Sequence, residues 1–204
     1  MQEETRVVKC VLVGDAAVGK TALAVAYSTN GFPSDYVPTA YDNYSVIVRV
    51  DKKPIRLQLC DTAGSDSFNT LRPLSYTDAN VFVLVYSTVD PSSLHSISRS
   101  WLPEIRKVAP DIPLILVGTK ADVSMWERNN VSTEQARTLA ARVGAEFFEC
   151  SSLTQQNLKQ VFDCAILAGL EGKPRRVKSS NTSKLKQRLH GVSERIANLT
   201  RKVF

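Results

Sequence analysis

A chain of 204 residues and 22.5 kDa, 43% hydrophobic and 23% charged, can bury one core but hardly two. Its longest apolar runs, such as Val81 to Tyr86, fall far short of the ~18 residues a membrane span needs, and Met1-Gln2-Glu3-Glu4 is acidic. This argues against a spanning protein and a secretory leader, and the cytoplasm is the expected compartment. The net charge of +6 is uneven: from Gly172 onward ten Lys/Arg face one acid, Glu194, a local +9, so residues 1–171 carry −3. The basicity thus belongs to a tail (172–204) appended to a body (1–171), not to a nucleic-acid-binding face.

Along the chain, Val7 to Val13 is a continuous apolar run, as expected of a strand buried on both faces of a parallel sheet, and Lys20 to Ser28 follows as an amphipathic helix. Val46 to Val50 and Ile55 to Leu59 alternate instead, and the link Asp51-Lys52-Lys53-Pro54 is short enough to force an antiparallel hairpin. Val81 to Tyr86 and Ile112 to Val117 are again continuous. Helices are predicted over Pro91 to Val108, Ser132 to Val143 and Leu158 to Leu170, with starts at Pro91-Ser92-Ser93 and Val131-Ser132-Thr133-Glu134. A short strand is expected over Glu146 to Glu149. The pattern is α/β, with a six-stranded, mostly parallel sheet, one antiparallel hairpin strand and helices on both faces. Cys10, Cys60, Cys150 and Cys164 lack C-x-x-C spacing and read as buried, reduced thiols.

Gly14-Asp15-Ala16-Ala17-Val18-Gly19-Lys20-Thr21 fits G-x-x-x-x-G-K-[ST] between the first strand and the first helix, the context of a P-loop NTPase. Such a loop turns backbone N–H groups and a helix start, through Ala22, toward a phosphate chain. Lys20 adds a point charge at the terminal phosphates, and the Thr21 hydroxyl can ligate Mg²⁺. Asp61-Thr62-Ala63-Gly64 ends the hairpin's second strand, where Asp61 can hold the Mg²⁺ through water and Gly64 lets an N–H approach the terminal phosphate. Thr119-Lys120-Ala121-Asp122 follows the fifth strand. There a carboxylate at Asp122 can accept both N–H groups on the guanine edge, which adenine lacks. Cys150-Ser151-Ser152-Leu153 can offer backbone N–H groups to the guanine carbonyl.

These four motifs, each at a strand's C-terminal end, lie where open α/β sheets bind ligands, and together they resemble a small GTPase of the Ras superfamily. Tyr36-Val37-Pro38-Thr39-Ala40-Tyr41-Asp42-Asn43-Tyr44 and Leu71-Arg72-Pro73-Leu74-Ser75-Tyr76 resemble Rho-family switch regions. Arg56-Leu57-Gln58-Leu59-Cys60-Asp61 and Leu153-Thr154-Gln155-Gln156-Asn157-Leu158-Lys159 resemble the Wrch/Chp subgroup. The resemblance implies GTP/GDP and Mg²⁺ as cofactors, with Thr39 a switch I metal ligand beside Thr21 and Asp61. It implies Phe32 near the guanine, Tyr36 closing over the phosphates and Lys120 lying along the base. Phe32 and Tyr36 can also be read as ordinary loop-packing aromatics, and His95, His190, Trp101 and Trp126 as surface or core residues.

Against that family pattern two catalytic positions depart. Ser65 stands where the family carries a water-orienting glutamine and is too short to do that work. Ala16 replaces a glycine and puts a methyl group where the transition state and an incoming arginine finger need space. In this class the finger is worth about 10³–10⁵ in rate, so slow intrinsic and activator-stimulated hydrolysis and a mainly GTP-bound protein are predicted. Only 30 residues separate Lys120 from Ser151, so the helical Rho insert is expected to be missing. No cysteine follows Cys164 in this sequence, so a prenyl or palmitoyl anchor on the tail as given is not expected.

In that tail Leu185, Leu189, Val192, Ile196, Leu199 and Val203 form one apolar stripe of a helix, with Lys184, Arg188, Arg195 and Lys202 on the other face. Such a helix can lie on an anionic membrane; a disordered tail or a helix docked on a protein are the other readings. Coiled-coil pairing is disfavoured because flanking positions lack acidic complements, so a monomer is expected. The leading function is a regulatory switch that binds effectors through switch I and II and is loaded by exchange factors, with signalling to actin and cell shape implied by the resemblance. A GTP-locked scaffold without turnover and a P-loop small-molecule kinase are the alternatives.

Overall fold

The computed structural model describes residues 5–33, 41–64, 72–123 and 130–172. Thus Tyr36, Thr39, Ser65, Trp126 and the tail stripe lie outside the described residues.

Among the described residues six strands form one sheet in the order β2-β3-β1-β4-β5-β6. They are β1 (Arg6–Val13), β2 (Tyr41–Val50), β3 (Lys53–Thr62), β4 (Val81–Ser87), β5 (Leu114–Thr119) and β6 (Ala145–Glu149). Among the described residues only the β2·β3 pair is antiparallel, as the hairpin reading requires. The continuous apolar runs are continuous because both faces are covered. Val8, Cys10 and Leu12 of β1 pack with Leu23 and Phe162 on one side. Val11 and Val13 pack with Phe82, Ile97 and Ile105 on the other.

The first layer is α1 (Lys20–Thr29) and α5 (Leu158–Glu171), joined by the Tyr27 and Phe162 rings at 4.2 Å between centroids. Across the sheet lie α2 (Pro91–Ser96), α3 (Leu102–Val108) and α4 (Thr133–Val143). β2 alternates between exposed and half-buried residues, as an edge strand with one wet face does.

Two sequence expectations change in detail. The hairpin link is shorter than four residues: Asp51 (φ 49) and Lys52 (φ 67) are both left-handed and close the turn alone, while Lys53 and Pro54 already belong to β3. Two consecutive positive φ values give the turn whose twist matches the strands. The single helix expected over Pro91 to Val108 is interrupted by a π turn, Ile97–Trp101, closed by the Leu102 N–H on the Ile97 carbonyl. Pro103 gives the reason, since it has no N–H for the preceding turn and its ring crowds the carbonyl four residues back. The segment's start is capped by Asp90, whose carboxylate accepts the Ser92 N–H at 3.0 Å.

All four cysteines are free and buried, and among the described residues no cluster of three or more His, Cys, Asp or Glu could hold a metal. None of the described helices is long and apolar enough to cross a membrane.

Candidate functional site

The C-terminal ends of β1, β3 and β5, with the loop after β6, bring the four sequence motifs together. The first is the loop between β1 and α1. Its opening glycine sits under β4: a Cβ on Gly14 would lie 2.1 Å from the Val85 carbonyl oxygen, so the chain passes there only without a side chain. Ala17 takes φ 60, and Val18 is buried and anchors the loop to the core. Ala16 and Ala17 are exposed, while Gly19, Thr21 and Ala22 are half-buried at the helix start.

Lys20 is 6% exposed, and its ammonium donates to the carbonyls of Gly14 at 2.9 Å and Asp15 at 2.8 Å. Burial lowers its pKa to about 8, opposed by the charges of Asp61 and Asp15. A buried cation folded back under its own loop is poised for an anion.

Asp61 is fully buried at the end of β3, and its Oδ2 accepts the Thr21 hydroxyl at 2.5 Å. A hydroxyl and a carboxylate converging from different elements make a hard oxygen pair of the kind Mg²⁺ takes. The residues present therefore fit the metal that the motif implies. Three residues on, Gly64 touches the P-loop backbone. A Cβ there would meet the Ala16 nitrogen and the Asp15 carbonyl carbon at 2.4 Å each, so only glycine lets the two loops close up.

The loop after β5 is tied to the same P-loop. The Thr119 hydroxyl donates to the Val18 carbonyl, with the Tyr86 carbonyl 3.1 Å away, and the Lys120 ammonium donates to the Ala17 carbonyl at 3.0 Å. Lys120 is itself left-handed, at φ 59. Thr88 fixes the turn through the Thr119 carbonyl at 2.8 Å and the Lys120 carbonyl at 3.1 Å. Asp122 is half-buried beyond it.

After β6, the Ala121 N–H donates to the Cys150 carbonyl at 3.1 Å and so places the two base-side loops side by side. Ser151 and Ser152 are buried and Leu153 is exposed. The Ser151 N–H is already donated to the Gln156 carbonyl within the loop, and its hydroxyl accepts the Thr154 N–H. Phe32, after α1, is 51% exposed.

A group that sequence reasoning placed only as core or surface also meets the site. Trp101, at the end of the π turn, donates its indole N–H to Asp15 Oδ1 at 2.6 Å. Arg72 stacks on the indole at 4.4 Å and donates to the Ala63 carbonyl at 3.0 Å. In the sequence Pro103 marks the break in the helix beside Trp101, but it does not indicate which group the indole meets.

A sequence model of the Ras family matches residues 9–169. The Rho-related GTP-binding protein RhoV of Rattus norvegicus is 48% identical over 186 residues, covering 85% of this chain and 79% of the relative. The RhoV proteins of Mus musculus and Homo sapiens are each 47% identical over the same length, with the same shares covered.

Proposed function

The chain belongs to the Rho-type small GTPases of the Ras family, and on that premise we propose that it is a GTP-binding switch whose hydrolysis is slow enough to leave it mainly loaded with GTP. Guanine nucleotide and Mg²⁺ are the family's ligands. Thr21 and Asp61 would hold the metal here together with Thr39, and bound Mg²⁺ neutralises charge on the phosphates. Lys20 and the N–H groups of the P-loop bind the phosphate chain. Asp122 reads the guanine edge. With the Ser151 N–H engaged by Gln156, the guanine carbonyl falls to the N–H groups of Ser152 and Leu153. Tyr36 covers the phosphates, and Phe32 lies by the base.

The observation that carries the slow-hydrolysis reading is the pair Ala16 and Ser65. Ala16 is exposed in the P-loop at the point of contact with Gly64, where its methyl group crowds the space an arginine finger would enter. Ser65 supplies no side chain long enough to orient an attacking water. With both aids weakened, exchange rather than hydrolysis sets the nucleotide state. Thr39 and Gly64, drawn to the terminal phosphate, then order the two switch segments into a surface for effectors. Rho-type effectors that act on actin and cell shape are the partners we infer, with exchange factors loading the nucleotide.

For location, the tail stripe with its basic opposite face supports peripheral attachment to an anionic cytoplasmic membrane by a body that is otherwise a cytoplasmic monomer. Two measurements test the function. The nucleotide that co-purifies is expected to be GTP. Single-turnover hydrolysis is expected to stay slow with a Rho-type activating protein present, and rapid, stimulated cleavage overturns the reading.

A further inference from the structure

The nucleotide loops are gripped from behind by a cluster that belongs to none of the four motifs. Trp101 is 4% exposed, and the side chain of Arg72 is 2% exposed. The indole donates to the Asp15 carboxylate at 2.6 Å. The guanidinium lies 4.4 Å from the indole ring centroid, with its Nε donating to the Ala63 carbonyl at 3.0 Å. Its Nη1 donates to Glu104 Oε2 at 3.0 Å, and the other Glu104 oxygen accepts the Tyr76 hydroxyl at 2.5 Å. One indole–guanidinium pair therefore holds the second residue of the P-loop and the residue just before Gly64. The same pair lines a polar pocket of about 360 Å³ together with Asp15, Gly64, Ser96 and Ser100.

There is no slack between the two gripped points. The Asp15–Ala16 peptide and Gly64 are in direct backbone contact, close enough that one added carbon at Gly64 would sit 2.4 Å from both the Asp15 carbonyl carbon and the Ala16 nitrogen. A displacement of Asp15 is thus passed to the position of the Gly64 N–H. The indole-to-carboxylate bond is charge-assisted and mostly out of water, which makes it stronger than a neutral surface contact. The rest of the P-loop has separate supports. Val18 hangs from Thr119 and Ala17 from Lys120, so the segment serving the inner phosphates keeps its shape if Asp15 is released.

We propose that Trp101 is a positioning residue which, by holding Asp15 against Gly64, sets how tightly the site grips the terminal phosphate and hence how far it prefers GTP to GDP. The inference rests on the guanine-nucleotide reading above and adds the device that separates the two nucleotides. The π turn acquires a role as well, since it is the segment that aims Trp101 at the P-loop instead of into the helix layer alone.

The test uses the full chain with Mg²⁺, a fluorescent GDP and a non-hydrolysable fluorescent GTP analogue. Affinities and release rates are compared for wild type, Trp101→Phe, Asp15→Ala and the double variant. Phenylalanine keeps an aromatic face for Arg72 and removes the N–H. Asp15→Ala removes the same bond without altering the core. Each single variant is expected to weaken the GTP analogue about tenfold and GDP less than about threefold, the effect of losing one charge-assisted bond. The double variant is expected to match either single variant rather than add to it. Equal weakening of both nucleotides, or strictly additive effects, would reduce Trp101 to a packing residue and overturn the proposal. A wild type that binds no guanine nucleotide fails at the earlier step; a wild type that binds both, with Trp101→Phe unchanged, refutes this inference alone.

Discussion

The ammonium of Lys120 donates to the carbonyl of Ala17 at 3.0 Å, across 103 residues of sequence. The loop that faces the base and the loop that faces the phosphates are therefore one bonded unit. The neighbouring Thr119 hydroxyl makes a parallel link to the carbonyl of buried Val18. Thr119→Ala leaves that carbonyl unmet inside the fold, at a cost of about 1–3 kcal/mol. At this chain length each kcal/mol corresponds to roughly 2–4 °C. The expected outcome is a lower unfolding temperature together with faster GDP release, while Thr119→Ser, which keeps the hydroxyl, stays close to wild type. Thermal unfolding and nucleotide release on the same samples check this, and a drop in stability with unaltered release would separate the two loops.

Much of this arrangement was readable in the sequence, for a physical reason. β1, β4 and β5 are buried on both faces, so Val8 and Val11 are both apolar although they serve opposite cores, and the motifs fall at the strand ends. What escaped depends on which particular partner a group meets in the folded chain. Nothing local to Trp101 says that its indole meets Asp15, 86 residues away. Nor does Ser151 announce that its N–H turns inward to Gln156. The hairpin was misread by two residues because Lys53-Pro54 has turn-like chemistry, whereas Asp51 and Lys52 supply the two left-handed conformations that close it.

Gly64→Ala gives a sharper test of how the loops close. The new methyl carbon would stand 2.4 Å from backbone atoms of Asp15 and Ala16, which cannot swing aside as a flexible side chain would. The two loops must separate. The GTP analogue is expected to lose affinity by an order of magnitude or more, with GDP affected less because its inner phosphates are served by the P-loop N–H groups and the helix start. Equilibrium binding of the two nucleotides reads this directly, and an undiminished preference for the triphosphate would contradict the contact.

The buried thiols give a pH signature. Burial, aided by nearby carboxylates, pushes Cys150 and Cys164 up to about 12, and burial beside the Cys60 and Cys164 thiols raises Cys10 further still. The folded chain therefore keeps protons that an unfolded chain releases above its ordinary thiol value of 9.0. With fewer protons bound in the unfolded state, stability falls as pH rises from about 9 toward 12. Native protein is expected to resist alkylation at pH 8 and to react at these cysteines once denaturant is added. Cys164→Ala is expected to flatten the fall of unfolding temperature with alkaline pH. Fast labelling of the native chain would contradict the burial.

The membrane reading of the tail can be separated from one based on charge alone. Each basic residue near an anionic surface adds about 1 kcal/mol and is screened by salt, whereas an inserted apolar stripe is not. The full chain is expected to pellet with phosphatidylserine-containing vesicles, a chain lacking residues 179–204 to remain in solution, and Leu189→Glu with Ile196→Glu to lose the salt-resistant part of binding. If the full chain never pellets at any salt concentration, the amphipathic-helix reading is wrong.

Restoring the missing catalytic groups tests slow hydrolysis from the opposite direction. If Ser65 and Ala16 limit the rate, Ser65→Gln returns a side chain able to orient water, and Ala16→Gly clears the contact beside Gly64. The two changes act on one transition state, so they should not simply add. Ser65→Gln alone is expected to raise unstimulated turnover modestly, because Ala16 still crowds the approach. The double variant with a Rho-type activating protein is expected to gain most, up to the about 10³–10⁵ that an arginine finger supplies. Single-turnover assays on the four combinations distinguish the outcomes. A wild type already as fast as the double variant would show that another group, such as the neighbouring Asp66, does the work of the glutamine. A double variant that stays slow would move the defect elsewhere, to the way Lys20 and Asp61 meet the nucleotide.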